Sequence, residues 1–158
     1  MMGLPPAKQV DRLLQLNHLP NNGVLGNKKA LFYLLKEYCE LQHIDVFRIV
    51  PLTFHVQRGV NDSVYHQFVE AFNHSKGKQG SCIWIVKPGE HTNRGSGITC
   101  CNSLSAVRKI LNGKESARTY ILQKYITNPL LYNGRKFDIR VYMLLTVSNG
   151  LLKGYWYR

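Results

Sequence analysis

A change of hydrophobic period partway along the chain limits the fold more than any other feature. Up to about residue 80, apolar residues recur at helical spacing; from Cys82 onward they fall into short strand-length runs. Leu31, Leu34, Leu35, Tyr38 and Leu41 lie on one stripe of a helix predicted over Lys28 to Leu41, with Asn27 where an N-cap belongs. Pro51 to Val56 reads as a short extended piece. Asn61-Asp62-Ser63 can cap a second helix running through about Asn73.

Beyond Cys82 the signals are those of strands. Cys82 to Lys87 reads as a buried strand closed by Pro88-Gly89, and Gly97 to Cys101 as a second after a glycine-rich turn. Ser103 or Ser105 caps a short helix to about Leu111, and Thr119 to Ile126 is a third strand ended by Asn128-Pro129. Lys136 to Val147 alternates as one long strand, and Ser148-Asn149-Gly150 turns it into Leu151 to Tyr157. Helices first, then mostly antiparallel strands with an inserted helix, predict an α+β fold with helices packed on one face of the sheet. The expected organisation is an irregular lead-in over 1–26, helical only near Val10 to Leu16, an N-terminal helical part over 27–80, and a sheet region over 81–158. The polar loop His74 to Ser81 marks the boundary.

Charge restricts the partners. Lys and Arg number 21 against 9 Asp and Glu, a net charge of +12. Such an excess attracts nucleic acid, an anionic membrane, nucleotide phosphates or an acidic protein surface without choosing among them. Nucleic acid is conceivable, but no recognition motif of that class is present. No apolar run approaches the roughly 20 residues that span a bilayer, and Met1 to Val10 lacks the apolar core of a secretory signal. A cytosolic protein without a membrane partner is expected. Cys39, Cys82, Cys100 and Cys101 show no metal-ligand spacing and read as reduced thiols.

Four stretches carry the residue types that a phosphate-handling site needs. In Trp84-Ile85-Val86-Lys87-Pro88 a lysine ends an apolar strand, where an anion would offset its burial; a snorkelling strand-end lysine is the bland alternative. In Asn93-Arg94-Gly95-Ser96-Gly97-Ile98 the glycines let backbone N–H groups approach an anion, with Arg94 beside them, although such a turn is common. Gln123-Lys124-Tyr125-Ile126 ends a strand, where free backbone groups can read a purine edge; an edge strand with a charged gatekeeper fits as well. In Lys136-Phe137-Asp138-Ile139-Arg140-Val141-Tyr142, strand alternation would set Lys136, Asp138 and Arg140 on one face. Phe137, Ile139, Val141, Met143 and Leu145 would then lie in a core. The charged trio can be a structural ion pair or can hold ribose, phosphate or Mg²⁺.

Read together, "KPGEHTNRGSGI", "LQKYITNPLL" and "GRKFDIRVY" stand in the order and spacing of the tubulin tyrosine ligase-like family, which the chain resembles from about residue 27 to 158. The resemblance implies an ATP-grasp fold that closes on ATP and Mg²⁺. It also implies a reaction in which a phosphorylated carboxylate is attacked by an amine, joining an amino acid to tubulin. Glutamate or glycine is favoured over tyrosine as that amino acid. Lys87 resembles the family lysine that holds ATP phosphates, and Arg94, Gly95, Gly97 and Ile98 the loop over them. Gln123, Lys124, Tyr125 and Ile126 resemble the hinge that frames adenine. Lys136 and Asp138 match residues near ribose and phosphates, and Asp138 and Arg140 the catalytic pair, with Arg140 placed against charge on the transferred phosphate.

The implied partners are a free amino acid and the acidic C-terminal tails of tubulin, to which a chain of +12 would be drawn. Lys76, Lys78 and Arg108 are candidates for that basic surface. The implied location is the cytoplasm and cytoskeleton, with cilium or axoneme as a family-level expectation. The family's Mg²⁺ carboxylates, an aspartate and a Glu-x-Asn pair, fall beyond Arg158. The sheet region is therefore expected to be incomplete at its C-terminus and inactive by itself. The alternative reading is a non-catalytic module that binds ATP or microtubules.

Overall fold

The computed structural model describes residues 19, 21–76, 82–89, 96–113 and 119–157. The stretch Val10 to Leu16 and the loop residues 77–81, Lys78 among them, lie outside the described residues. The chain divides into two compact units, Val24–Phe137 and Met1–Gly23 with Asp138–Arg158.

In the first unit, after a single turn α1 (Gly23–Gly26), helix α2 spans Lys28–Leu41. Its start is the expected one: the Asn27 side chain accepts from the backbone N–H of Lys29 at 3.0 Å and of Ala30 at 3.1 Å, satisfying two otherwise orphaned donors. Helix α3 (Ser63–Lys76) begins at Asp62, whose carboxylate accepts from Val64 N at 2.9 Å. It runs one turn past the expected end, so His74 to Lys76 are helical rather than loop. Helix α4 (Leu104–Leu111) is capped by Ser103, which accepts from Ala106 N.

Four strands form one antiparallel sheet: β1 (Thr53–Val56), β2 (Trp84–Pro88), β3 (Thr99–Cys101) and β4 (Tyr120–Lys124), in the order β1-β4-β2-β3. Thr53 is opposite Gln123 and Val56 opposite Tyr120; Trp84 is opposite Lys124 and Pro88 opposite Tyr120. The segment read as an N-terminal helical part therefore supplies an edge strand to the sheet of the later segment, and the two share a core across residue 80. That core unites Val56, Trp84, Val86, Cys101, Tyr120 and Leu122 with Tyr65, Phe68 and Phe72 of α3 and Val107 and Leu111 of α4. Strand alternation sends Thr53, His55, Ile85, Lys87, Ile121 and Gln123 to the opposite face. There α2 lies, the Tyr33 hydroxyl meeting His55 Nδ1 at 2.8 Å. Helices thus lie on both faces of the sheet, not one, although Leu31, Leu34, Tyr38 and Leu41 of the α2 stripe stay exposed.

A two-residue hairpin, β5 (Leu131–Tyr132) with β6 (Arg135–Lys136), follows. The second unit holds β7 (Tyr142–Ser148) and β8 (Leu151–Tyr157), joined by Asn149 and Gly150 at φ 51° and 73°, the left-handed pair of the expected hairpin turn. The long strand expected from Lys136 to Val147 is broken: Phe137 to Val141 leave the strand state and have no strand partner among the described residues. The apolar residues assigned to a core are also open. Phe137, Ile139, Val141 and Met143 are exposed and Leu145 is half-buried. A sheet of two strands has no interior, so its own pairing buries neither face.

Candidate functional site

The opposite face of the four-stranded sheet carries a half-open cleft of about 160 Å³ under α2. Leu31, Phe32 and Leu35 of α2 form its apolar wall, Ile121 and Thr53 its floor, and Lys28, Lys87 and Gln123 its polar groups. Lys87 reaches it because it sits on the face of β2 opposite the core, one residue past Val86, which is in the core. Its ammonium donates to Gln123 Oε1 at 2.7 Å on the neighbouring strand. Gln123 Nε2 donates to Thr53 Oγ1 at 2.8 Å, and Thr53 Oγ1 donates to the Pro51 carbonyl at 2.6 Å.

Burial, and then the positive charge of Lys28, pull the Lys87 pKa below its ordinary value of 10.5. Both causes act against the cation, and no acidic side chain among the described residues lines the cleft to oppose them. An anion entering here would reverse both, since it would pair with Lys87 and screen it from Lys28.

Around this cleft the structure gathers some of the residues singled out in the sequence. Lys87 and Gln123 touch. Gly97 lies against the end of β2: it has φ 71°, and a Cβ on it would stand 2.8 Å from Pro88 Cγ, so both conformation and space require glycine. Ile98 follows it, half-buried, while Arg94 and Gly95 lie outside the described residues. Strand β4, which carries Gln123 and Lys124, is interior to the sheet rather than at its edge. The backbone N–H of Lys124 donates to Leu52 O at 2.8 Å and that of Tyr125 to Ile83 O at 3.0 Å. These two donors are thus engaged within the chain, and neither is left for a purine edge. The Lys124 side chain and Ile126 are exposed.

Lys136, from β6, folds back on the hinge: its Nζ donates to the Tyr125 hydroxyl at 2.9 Å and stands 4.9 Å from that ring's centroid. Asp138 and Arg140 are exposed and belong to the other unit, in the unpaired stretch before β7, so strand alternation does not set them beside Lys136. Arg108, a candidate for the basic surface, donates from Nε to the Tyr65 hydroxyl at 3.1 Å. Two cleft residues escaped the sequence reading, Lys28 and Thr53. The available signal for Thr53 was the alternation of Thr53 and His55 with Phe54 and Val56, which marks a two-faced strand.

All four cysteines are free thiols. Among the described residues no helix is long and apolar enough to cross a membrane, and no group of His, Cys, Asp and Glu could hold a metal ion.

The chain has an α+β fold with a lysine-bearing cleft on one sheet face, and its sequence matches the tubulin-tyrosine ligase family over residues 8–158. The chain belongs to that family. It is 31% identical over 159 residues to a probable alpha-tubulin polyglutamylase of Tetrahymena thermophila, a match covering 90% of this chain and 37% of the relative. It is 33% identical over 134 residues to a probable human tubulin polyglutamylase, covering 84% and 20% of the two chains. A human tubulin monoglycylase is 44% identical over 72 residues, covering 44% and 9%. The chain thus spans well under half the length of these relatives.

Proposed function

We propose that this chain is the nucleotide-receiving part of an ATP-dependent ligase that attaches an amino acid, glutamate or glycine rather than tyrosine, to tubulin. The observation that carries the reading is Lys87: a half-buried cation beside a second lysine, in a cleft whose described lining holds no carboxylate. Family membership and the names of the relatives support tubulin as the protein substrate. The net charge of +12 suits approach to an acidic tail.

The reaction joins a carboxylate to an amine. The γ-phosphoryl group passes from ATP to a carboxylate oxygen and ADP leaves. The amine nitrogen then bonds to the acyl carbon and loses a proton, and phosphate departs with the bonding pair. In this scheme Lys87 holds phosphate oxygens, and Gly97 and Ile98, with Arg94 and Gly95, form the loop over them. Gln123, Lys124, Tyr125 and Ile126 frame the base, and Lys136 serves ribose and phosphates. Asp138 and Arg140 act at the transferred phosphate, where fixed charge counts most. Mg²⁺ belongs to the proposal as the counter-ion of ATP. The described residues do not fit a metal site. The cytoplasm and cytoskeleton, including cilia, are the proposed location.

Calorimetric titration of the chain with Mg-ATP tests the first half of the reading: saturable binding is expected, and none at millimolar ATP would sink it. The second half is tested on the full-length protein, with tubulin, ATP and radiolabelled glutamate, glycine or tyrosine. Incorporation of glutamate or glycine is expected. Binding of ATP or microtubules without incorporation would replace the ligase with a non-catalytic binding module.

A further inference from the structure

The hydrogen bonds behind Lys87 run in one direction, and chemistry fixes that direction at both ends. The Thr53 hydroxyl has a single proton, which goes to the Pro51 carbonyl at 2.6 Å. Its oxygen can therefore only accept from Gln123, at 2.8 Å, and the amide group facing it must be the NH₂. That leaves the amide oxygen for Lys87 Nζ at 2.7 Å, and an ammonium, which only donates, demands an oxygen there. A flipped Gln123 amide would put NH₂ against NH₃⁺ at one end and a carbonyl oxygen against a hydroxyl with no spare proton at the other. Thr53 is almost wholly buried on β1, and Gln123 is opposite it in the strand register. The relay is thus built on the sheet rather than on a loop, which gives it little freedom to rearrange.

We propose that Thr53 is a positioning residue: by fixing the Gln123 amide, it holds the Lys87 ammonium at one point of the cleft, ready for an ATP phosphate. The proposal rests on the reading of Lys87 as a phosphate-holding residue. It also gives Gln123 a duty apart from adenine, since its side chain is engaged with Lys87 and Thr53.

The test uses the 158-residue chain with Thr53→Val, Thr53→Ser, Gln123→Met and the Thr53→Val/Gln123→Met double variant. The first readout needs no nucleotide: the rate at which acetic anhydride acylates Lys87, followed by mass spectrometry of its peptide. The second is the dissociation constant for Mg-ATP. Thr53→Val keeps size and strand preference but removes the acceptor, so Lys87 should acylate several-fold faster. ATP should bind about 5- to 10-fold more weakly, the loss typical of one neutral hydrogen bond. Thr53→Ser should restore both values. The double variant should match the single ones, because residues acting through one chain of bonds are not additive.

Unchanged Lys87 acylation in Thr53→Val, or additive effects in the double variant, would overturn the relay. If circular dichroism shows Thr53→Val unfolded, Gln123→Met decides, since it must speed acylation by the same factor. Faster acylation in a chain that binds no ATP would leave the relay standing and bring down the nucleotide reading. Lys87-dependent ATP binding that ignores Thr53 would do the reverse.

Discussion

The indole of Trp84 and the ring of Phe68 meet edge to face, centroids 5.0 Å apart and planes at 88°. The contact joins β2 to α3, and both side chains are fully buried. Phe68 also meets Phe54, Tyr65 and Phe72, so one ring ties three elements together. Three residues along β2 from Trp84 stands Lys87, so the aromatic cluster is the foundation of the cleft. Phe68→Ala should destabilise the chain by about 3–5 kcal/mol, as for other large core aromatics, measured by urea denaturation. Tyr38→Ala, on the exposed side of α2, should stay within about 0.5 kcal/mol of the parent. Equal effects would mean that the cluster is not the core.

Lys87→Ala should abolish ATP binding, and the thermal stabilisation that ATP gives the parent chain should vanish. Unchanged nucleotide affinity in that variant would remove Lys87 from the site.

The same lysine predicts a pH dependence. Its folded pKa lies below 10.5 through burial and through Lys28, so the protonated form is disfavoured in the native state. Stability contributed by this group therefore increases as pH rises from the folded toward the unfolded pKa. Anion binding runs the other way. ATP affinity should fall with rising pH from a lower pH than an ordinary lysine would show, and Lys28→Ala should move that fall upward. An affinity that holds constant to pH 10.5 would contradict this.

Asp62 is nearly buried, and its carboxylate accepts from the backbone N–H groups of Gln57 at 2.7 Å, Arg58 at 3.1 Å and Val64 at 2.9 Å. Burial raises its pKa, but the three backbone bonds, with Arg58, outweigh it and leave it below 3.8. A depressed folded pKa gives stability that is present above the unfolded pKa and is lost as pH falls through the folded one. Asp62→Ala should cost about 1–3 kcal/mol at neutral pH, the penalty of orphaned buried donors. The parent's advantage over the variant should start to shrink below about pH 4 and go on shrinking as pH falls through the folded pKa. Denaturant midpoints at pH 7 and pH 3 measure both.

Gly97→Ala should weaken the turn that packs on Pro88 without disturbing the sheet. Left-handed backbone costs a non-glycine residue roughly 1–2 kcal/mol, and the new methyl would also press on Pro88. Faster limited proteolysis within residues 90–98 is expected, with an unchanged far-ultraviolet dichroism spectrum. Equal cleavage rates would show that the glycine is dispensable.

What could be read along the chain was what neighbours in sequence decide. Asn27 caps α2 and Ser103 caps α4 because a side-chain oxygen reaches an N–H two or three residues on. Asn149-Gly150 turns β7 into β8 because both residues accept left-handed backbone. The motifs around Lys87, Gln123 and Lys136 were legible as residue types in order, and from them the family. What lay beyond reach depended on partners distant in the chain. The polar face of β1 stands behind Lys87 only because Thr53 pairs with Gln123, 70 residues away. Strand β4 is interior, with the N–H groups of Lys124 and Tyr125 already used, only because β1 and β2 flank it, Leu52 and Ile83 supplying the acceptors. Phe137 to Val141 have the alternation of a strand but no strand partner among the described residues, and they are not one. Local periodicity and capping chemistry determined most of the helices, strands and turns. Long-range hydrogen bonding and burial, which exist only once the chain has folded, decided which strands pair, which faces are covered and how Lys87 is held.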